Sequence, residues 1–163
     1  MNVEDIKKVR AKSDGTTLYE HTCTVIETGL KLLQSLSLSD TAQAFLKQNF
    51  VFAAILHDLG KVHPTFQKRL DGDKYASIRH ELVSVWFAET FLEVNDAVLF
   101  AVGTHHKSVE SDSCERSLDM QDLNDISISV DEGAYLPFSE GTMCLETLQS
   151  WLSLFSEEFV YRQ

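Results

Sequence analysis

The residues best suited to chemistry in this sequence are histidines that occur in a regular order together with an aspartate. Five of the six histidines, with one aspartate, lie inside or at the end of segments with a helical pattern: His21, His57, Asp58, His80, His105 and His106. Imidazole and carboxylate together are the ligand set that holds transition metals such as Mn, Fe, Co, Ni and Zn. A metal held in this way can turn water into a nucleophile at neutral pH. The pattern therefore indicates a metal site in which four separated segments meet.

A single histidine is more often a hydrogen-bonded core residue than a metal ligand, so the grouping matters more than any one member. The adjacent pairs His57-Asp58 and His105-His106 each follow an apolar helical segment directly. Their regular placement favours one shared site over scattered structural histidines. His63 lies outside the pattern, and we interpret it as an ordinary loop residue.

The elements that must position these residues are helices with recognisable starts. Thr16 or Thr17 is suited to cap a helix that runs to about Leu36, and apolar residues at helical spacing place His21 on its inward face. Ser39 or Asp40 begins a second helical segment in the same way. A third helix is predicted from near Ser77 to Phe91, with His80 facing inward in its first turns.

Two helices that are apolar on all sides end at the two histidine pairs. The first ends with Phe50–Leu56 and is followed by His57, with Gly60 as a natural helix stop. The second starts at Asn95 or Asp96 and is followed by His105. Helix C-termini carry unpaired carbonyls and the negative end of the dipole, which favour a nearby cation. Histidine at a helix C-terminus can also be explained by its favourable interaction with the helix dipole alone. That explanation accounts for one histidine pair more easily than for two.

The remaining segments complete an expected all-α fold. A polar, acidic stretch at 108–136 is predicted to be a long loop, with a weak strand signal at 126–130, and a final helix is predicted at about 140–160. We expect a single domain over 1–163, divided into a metal-binding core at 1–107 and an acidic loop plus C-terminal helix at 108–163. Its architecture is predicted to be a helical bundle with buried central helices and a metal site at their C-terminal ends.

Charge and apolar runs restrict the environment and partners of the chain. The net charge is −11, of which 108–163 contributes −10, with 2 Lys and Arg against 12 Asp and Glu. A protein this acidic is poorly suited to binding duplex DNA on its own, because binding requires positive charge to neutralise the phosphates. Metal ions or a partner protein can supply that charge. The polar N-terminus, the short apolar runs and three cysteines without CxxC spacing predict no secretory leader, no membrane contact and a cytoplasmic location.

The ordered motifs resemble the HD superfamily of metal-dependent phosphohydrolases, named for an adjacent His-Asp pair. They are most similar to the HD nuclease of type I CRISPR systems, over about residues 19–107. The residues that carry this resemblance are His57-Asp58-Leu59-Gly60-Lys61, Phe66-Gln67, Arg79-His80-Glu81-Leu82 and His105-His106. In those systems the domain belongs to a nuclease-helicase or works as a separate nuclease subunit beside a helicase.

The resemblance implies a site for two divalent transition metals, Mn, Co, Ni or Fe rather than Mg. His21, His57 and Asp58 would bind one ion, and Asp58 would bridge to a second ion held by His80, His105 and His106. Asp58 and Lys61 would be the catalytic residues, with Lys61 contacting a phosphate oxygen. A solvated lysine at a helix end is an equally good interpretation of Lys61.

One departure from the family pattern concerns an aspartate expected on a helix downstream of His105-His106. The predicted C-terminal helix contains Glu146, Glu157 and Glu158 but no aspartate. Five aspartates lie in the predicted loop, and the choice among them is open: Asp112, Asp119, Asp122, Asp125 and Asp131. We interpret the chain as a fragment of a larger nuclease-helicase; an incomplete site is the alternative.

Three functions are compatible with these residues. The leading hypothesis is a metal-dependent nuclease that cleaves single-stranded DNA in CRISPR interference, with a helicase and a CRISPR effector complex as partners. The first alternative is an HD phosphohydrolase acting on nucleotides, for which the sequence shows no base-reading motif. The second is a degenerate HD domain that serves as a docking module.

Overall fold

The architecture was obtained as a computed structural model, which describes residues 1–76, 78–106 and 141–155, with side chains from residue 145 onward in the last segment. The elements of these segments are α1 (Val3–Ile6), α2 (Leu18–Ser35), α3 (Asp40–Leu56), a 3₁₀ turn (Leu59–Val62), α4 (Pro64–Leu70), α5 (His80–Phe91), α6 (Asp96–Thr104) and α7 (Gly141–Phe155). No strand occurs in the described segments, and one isolated antiparallel bridge joins Arg10 to Thr17. The predicted all-α fold is confirmed.

The starts of α2 and α3 follow from their capping residues. The Thr17 hydroxyl accepts a hydrogen bond from the Glu20 amide, and the Glu20 carboxylate accepts one from the Thr17 amide at 3.0 Å. This reciprocal capping box satisfies two amides that would otherwise lack partners. Ser39 caps α3 by accepting from the Ala42 amide at 3.3 Å. Both predicted starts are confirmed, and the capping box fixes the turn of α2 that carries His21.

The central helix α3 packs against α2, α5 and α6, so its last turn lies inside the bundle. Ala54, Ile55 and Leu56 are buried there. The final helix α7 is attached to the same turn, because the Trp151 indole donates to the Ile55 carbonyl oxygen at 2.7 Å. Trp151 and Phe155, one turn apart, are fully buried, so this face of α7 is part of the core.

Two helix predictions require correction. Helix α6 buries Val98 and Val102 but leaves Phe100 69% exposed, so the expected burial on all sides was wrong. The helix packs against α3 and α5, which cover only part of its surface. Helix α5 begins at His80 rather than near Ser77, since Arg79 has extended backbone angles. His80 is therefore the first residue of its helix.

Several predictions concern residues outside the described segments. These are the acidic loop at 108–136, its weak strand at 126–130, and the end of the predicted C-terminal helix at 156–160. Among the described helices, none combines the length and the apolar character needed to cross a membrane.

Candidate metal centre

The candidate ligands come together because the ends of several helices meet beside α3. His57 and His105 are the C-cap residues of α3 and α6, and His80 is the first residue of α5. His21 lies in the first turn of α2. Asp58 follows His57 and is 2% exposed, so a carboxylate lies in the interior where these elements meet.

The two oxygens of Asp58 contact different pairs of imidazoles. Oδ2 lies 3.1 Å from His21 Nε2 and 3.3 Å from His57 Nε2. Oδ1 lies 3.1 Å from His80 Nε2 and 3.4 Å from His105 Nε2. Asp58 therefore stands between two histidine pairs, one from α2 and α3 and the other from α5 and α6.

His106 completes the second group. Its Nε2 lies 2.9 Å from Nε2 of His80. One ligand atom from each of Asp58, His80, His105 and His106 lies within 4.8 Å of every other, and the same holds within a group formed by His21, His57 and Asp58. The structure thus brings all six sequence-predicted residues together in two groups that share Asp58.

The hydrogen bonding of the imidazoles fits a cation. Nδ1 of His57 lies 2.7 Å from the Ala54 carbonyl oxygen, and Nδ1 of His105 lies 2.7 Å from the Val102 carbonyl oxygen. A carbonyl only accepts, so each Nδ1 donates and each Nε2 carries a lone pair in the neutral ring. Metal-ligating histidines have their second nitrogen anchored in this way.

Two atoms at the centre lack the partner that such a cation would supply. Asp58 Oδ1 and His105 Nε2 are buried and have no hydrogen-bond partner among the described residues. Their mutual distance of 3.4 Å is long for a hydrogen bond. Buried polar atoms without partners are costly, and a divalent ion would be a ligand for both. The donor set therefore fits a divalent metal.

The ionisation of the centre in the metal-free protein follows from burial and contact. Burial alone would raise the pKa of Asp58, but the surrounding imidazoles, His105 first, hold that pKa far below its usual range. Burial lowers the pKa of His105, but the contact with Asp58 outweighs it and the pKa is raised. The carboxylate is thus ionised at neutral pH, the form that ligates metal.

The pKa of His106 shifts in the opposite direction to that of His105. Burial, and then the positive charge of His105 and His80, lower the pKa of His106. A lowered pKa favours the neutral imidazole, which is the form that binds a metal ion.

A comparison with protein families agrees with this geometry. The family model described as the HD domain of Cas3 matches residues 8–160, nearly the whole chain. The chain belongs to the Cas3 HD-domain family. Membership implies a metal-dependent HD nuclease of CRISPR systems with a nucleic-acid substrate, and the residues above offer donors for its divalent metal. No curated protein and no solved structure matches the chain.

Lys61, predicted to be catalytic, is buried within the Cas3 HD centre rather than solvated. Its Nζ donates to Asp58 Oδ2 at 2.7 Å, and the residue is only 7% exposed. The same ammonium lies 5.5 Å from the centre of the Phe66 ring. The alternative interpretation of Lys61 as a solvated helix-end residue was therefore wrong, because the 3₁₀ turn directs its side chain inward.

The Phe66-Gln67 pair forms a supporting layer whose role the sequence did not reveal. The Phe66 ring packs edge-on against the His80 ring, with centroids 4.9 Å apart. Gln67 Nε2 donates to the carbonyl oxygens of Lys61, at 2.7 Å, and Arg10, at 3.0 Å. Helix α4 therefore supports the candidate ligand His80 through Phe66, and the backbone of Lys61 through Gln67.

A second support lies at the start of α5. Glu81 is buried, accepts a hydrogen bond from Arg79 Nε at 2.9 Å, and places Oε2 3.7 Å from His80 Nδ1. Burial would raise the pKa of Glu81, but the bond from Arg79 lowers it, so the carboxylate is ionised beside His80. At 3.7 Å the carboxylate interacts with the His80 ring through its charge rather than through a hydrogen bond. The sequence offered only its place in the Arg-His-Glu motif as a signal.

Two residues near the centre differ from their sequence interpretation. Gly60 was expected to stop the preceding helix, but α3 already ends at its C-cap His57, and Gly60 lies within the 3₁₀ turn without a positive φ. His63 is buried, and its Nδ1 accepts from the Thr65 amide at 3.1 Å, which caps α4. It is a structural residue rather than an ordinary loop histidine.

The downstream carboxylate expected from the family resemblance has no assigned position. The five candidate aspartates, Asp112, Asp119, Asp122, Asp125 and Asp131, lie outside the described segments, as do Glu157 and Glu158. Glu146 is exposed on α7.

Proposed function

We propose that this chain hydrolyses phosphodiester bonds of single-stranded DNA in CRISPR interference, with two divalent transition-metal ions. The observation that carries the proposal is the position of Asp58 between two pairs of imidazoles, one pair on each carboxylate oxygen. A carboxylate has two oxygens with which to join neighbouring ions. The ligand atoms fall into two groups that share Asp58, so a single ion in one group would leave the imidazoles of the other group without a metal.

The assignment of ligands follows the two groups around Asp58. His21, His57 and Asp58 would hold one ion, while His80, His105 and His106 would hold the other together with Asp58. Such a pair of ions would supply an activated water and positive charge for the leaving oxygen of a phosphodiester. The C-terminal ends of α3 and α6, which carry the negative end of each helix dipole, also favour positive charge at this site.

Lys61 contributes a positive charge in the interior of this site. Its ammonium is already directed at Asp58 Oδ2 and is held against the Phe66 ring. A phosphodiester that reaches Asp58 therefore meets this charge without rearrangement of the lysine. Fixed charges of this kind stabilise the negative charge that develops on phosphate oxygens in the transition state.

The alternatives have less support. A phosphohydrolase acting on nucleotides needs contacts that read the base or the sugar, and no motif in the sequence supplies them. A degenerate docking module would not need six ligand-type side chains around one buried carboxylate, yet all six are in place. The enzyme is the function that best accounts for the geometry.

We further propose that the acidic segment 108–163 meets a basic surface of a helicase domain or CRISPR effector subunit in the cytoplasm. Its formal charge of −10 would repel a DNA backbone. Charge complementarity speeds encounter and weakens with salt. Neutralising Asp119, Asp122 and Asp125 should weaken partner association at low salt without reducing cleavage of free single strands; unchanged association would contradict this.

The function is tested by metal analysis combined with a cleavage panel. Purified protein reconstituted with Mn²⁺ should contain two ions per chain and cleave single-stranded DNA faster than duplex DNA or a set of nucleotides. The matched variants are Asp58→Ala and, as a control, the exposed Asp40→Ala at the far end of α3. Hydrolysis of nucleotides alone, or wild-type cleavage by Asp58→Ala, would reject the proposal.

The bridging role of Asp58 is tested by comparison with the histidines. Asp58→Ala should reduce cleavage by at least about a thousandfold, because it removes a ligand from both ions and leaves their charges unscreened. His21→Ala or His106→Ala should cost less, since each removes a ligand from one ion. An Asp58→Ala protein that retains two ions would rule out bridging.

A further inference from the structure

The positive charge of the described residues is concentrated in two segments, one of which carries Lys61 and runs to the start of α5. Of the eleven described Lys and Arg residues, nine lie in the segments 1–16 and 59–79. These segments contain five Asp and Glu, which gives a formal charge of +4. Because Lys61 and Arg79 pair with Asp58 and Glu81 just outside the segments, +2 remains, in a chain of −11. An anionic polymer approaching this acidic protein is therefore attracted to one region.

The two segments are joined into one surface. Gln67 accepts from the Arg10 amide at 3.4 Å and donates to the Arg10 carbonyl oxygen at 3.0 Å. The Arg10 guanidinium also forms an ion pair with Asp71, just after α4. The N-terminal segment therefore lies against α4 and the loop that follows it.

Three exposed cations on this surface lie on α4 and on the loop that follows it and leads to His80. We call Lys68, Arg69 and Lys74 the basic rim. Lys68 and Arg69 follow Phe66, whose ring contacts His80, within one turn of α4. The loop that holds Lys74 folds back on this helix, because the Asp73 amide donates to the Lys68 carbonyl oxygen at 3.1 Å.

An aromatic side chain stands in solvent at the end of this rim. Tyr75 is 97% exposed and follows Lys74 directly. Its backbone is anchored, since its amide donates to Asp73 Oδ1 at 2.9 Å and the next residue, Ala76, is buried. The loop therefore presents a ring with both faces open, five residues before His80.

We propose that the basic rim and Tyr75 bind a single DNA strand and lead it to the metal centre. The three cations contact phosphates, and Tyr75 stacks on an unpaired base, the combination by which proteins hold single strands without sequence preference. The bases of a duplex are already stacked on one another and offer no free face to the ring. This inference rests on the proposed nuclease function and specifies the surface that receives its substrate.

The test is a binding measurement in EDTA, so that no cleavage occurs. Fluorescence anisotropy of a labelled oligothymidine strand is recorded over a salt series for the full chain, beside a blunt duplex of the same length. The variants are Tyr75→Ala, Tyr75→Phe and the rim pair Lys68→Gln/Lys74→Gln. The matched control pair is Lys31→Gln/Lys47→Gln, each ten residues, or about 15 Å along its helix, from His21 and His57.

The expected results separate stacking from charge. Tyr75→Ala should weaken strand binding roughly tenfold, whereas Tyr75→Phe keeps the ring and should retain affinity. The rim pair should make the slope of log K against log salt shallower by roughly 0.7 for each lost phosphate contact, and the control pair should not. Wild-type affinity of Tyr75→Ala, or an equal loss in both lysine pairs, would overturn the proposal.

A small diester separates this inference from the proposed function. With Mn²⁺ present, bis(p-nitrophenyl) phosphate reports on the metal centre without spanning the rim. Tyr75→Ala should lose at least five times more activity on the strand than on the diester. Equal losses would reject the rim and leave the nuclease intact. Strand binding that depends on Tyr75, without hydrolysis of either substrate, would reject the nuclease and leave the rim.

Discussion

Gly60 lies so close to His80 that no side chain fits between them. A Cβ atom at position 60 would lie 2.0 Å from the His80 carbonyl oxygen and 2.8 Å from Val83 Cβ. The Gly60 amide donates to Ser84 Oγ at 2.8 Å, one turn further along α5. The 3₁₀ turn that carries Lys61 is thus seated directly on the first turn of α5, and this contact sets the distance between Asp58 and His80.

We predict that Gly60→Ala damages the metal centre through this contact. Backbone must move, because the clash is with a carbonyl oxygen rather than with a flexible side chain. The free energy of unfolding should fall by about 1–3 kcal/mol, and affinity for Mn²⁺ should fall roughly 10–100-fold, as for the loss of a supporting contact. Chemical denaturation and metal titration by calorimetry measure the two effects.

Gly72→Ala is the matched control for this substitution. Gly72 has φ +97°, and a methyl group at this position would have no neighbouring atom within 4 Å, so alanine would strain only its own backbone. The cost in stability should again be about 1–3 kcal/mol, but Mn²⁺ affinity should stay at the wild-type value. Wild-type Mn²⁺ affinity in Gly60→Ala would show that the contact does not position His80.

The Gly60 contact illustrates which parts of the site were predictable. The helices were predictable from local signals. These signals are capping residues such as Thr17 and Ser39 and the spacing of apolar residues. The convergence of the histidines was also predictable, since two apolar helices ended in histidine pairs. These inferences need only the sequence near each residue and the rule that apolar faces pack together.

The supports of the site were not predictable, because they depend on which segments touch. Gly60 was interpreted as a helix stop, whereas its actual constraint comes from the carbonyl of His80, twenty residues away in sequence. Gln67 hydrogen-bonds the backbone of Arg10, 57 residues earlier. Phe100 was expected to be buried, but no sequence signal indicated which side of α6 lacks a neighbour.

The second prediction concerns the metal. Mn²⁺, Co²⁺ or Ni²⁺ should support faster cleavage than Mg²⁺, since the group around His80, His105 and His106 offers three imidazoles and one carboxylate. Imidazole suits borderline transition metals, whereas Mg²⁺ prefers oxygen ligands. Rates of single-strand cleavage by metal-stripped protein, restored with each ion in turn, measure this preference. Equal or faster cleavage with Mg²⁺ alone would contradict the assignment of these ligands.

The third prediction concerns pH and Glu81. The bond from Arg79 lowers the pKa of Glu81 below its ordinary value of 4.5. A carboxyl with a lowered pKa in the folded state stabilises the fold above its unfolded pKa, and this contribution is lost as the pH falls through the folded pKa. Glu81→Gln should therefore lower the Tm of the metal-free protein at pH 7, and the difference should shrink as the pH falls below about 4.5.

The control for Glu81 is Glu89→Gln, an exposed position on the same helix. Its Tm should follow the wild type across the whole pH range. A Tm difference between Glu81→Gln and the wild type that stays constant from pH 7 to pH 3 would indicate lost packing rather than lost charge.

The last prediction concerns Lys61, whose ammonium lies 2.7 Å from Asp58 Oδ2. We predict that Lys61→Met reduces kcat for single-strand cleavage by about 10²–10³-fold while the bound metal content is retained. Methionine preserves much of the apolar contact with Phe66 but removes the charge that would meet a phosphate. The measurement is kcat per bound ion, so that a loss of metal is not mistaken for a loss of catalysis.

Lys61→Arg distinguishes the two roles open to this residue. If the positive charge acts on the phosphate, arginine should restore part of the kcat lost in Lys61→Met, because a guanidinium can also meet a phosphate oxygen. If Lys61 only neutralises Asp58 while the metals are absent, Lys61→Met should change the Tm of the metal-free protein and leave kcat per ion at the wild-type value. That second result would remove Lys61 from the catalytic residues and leave Asp58 with the histidines.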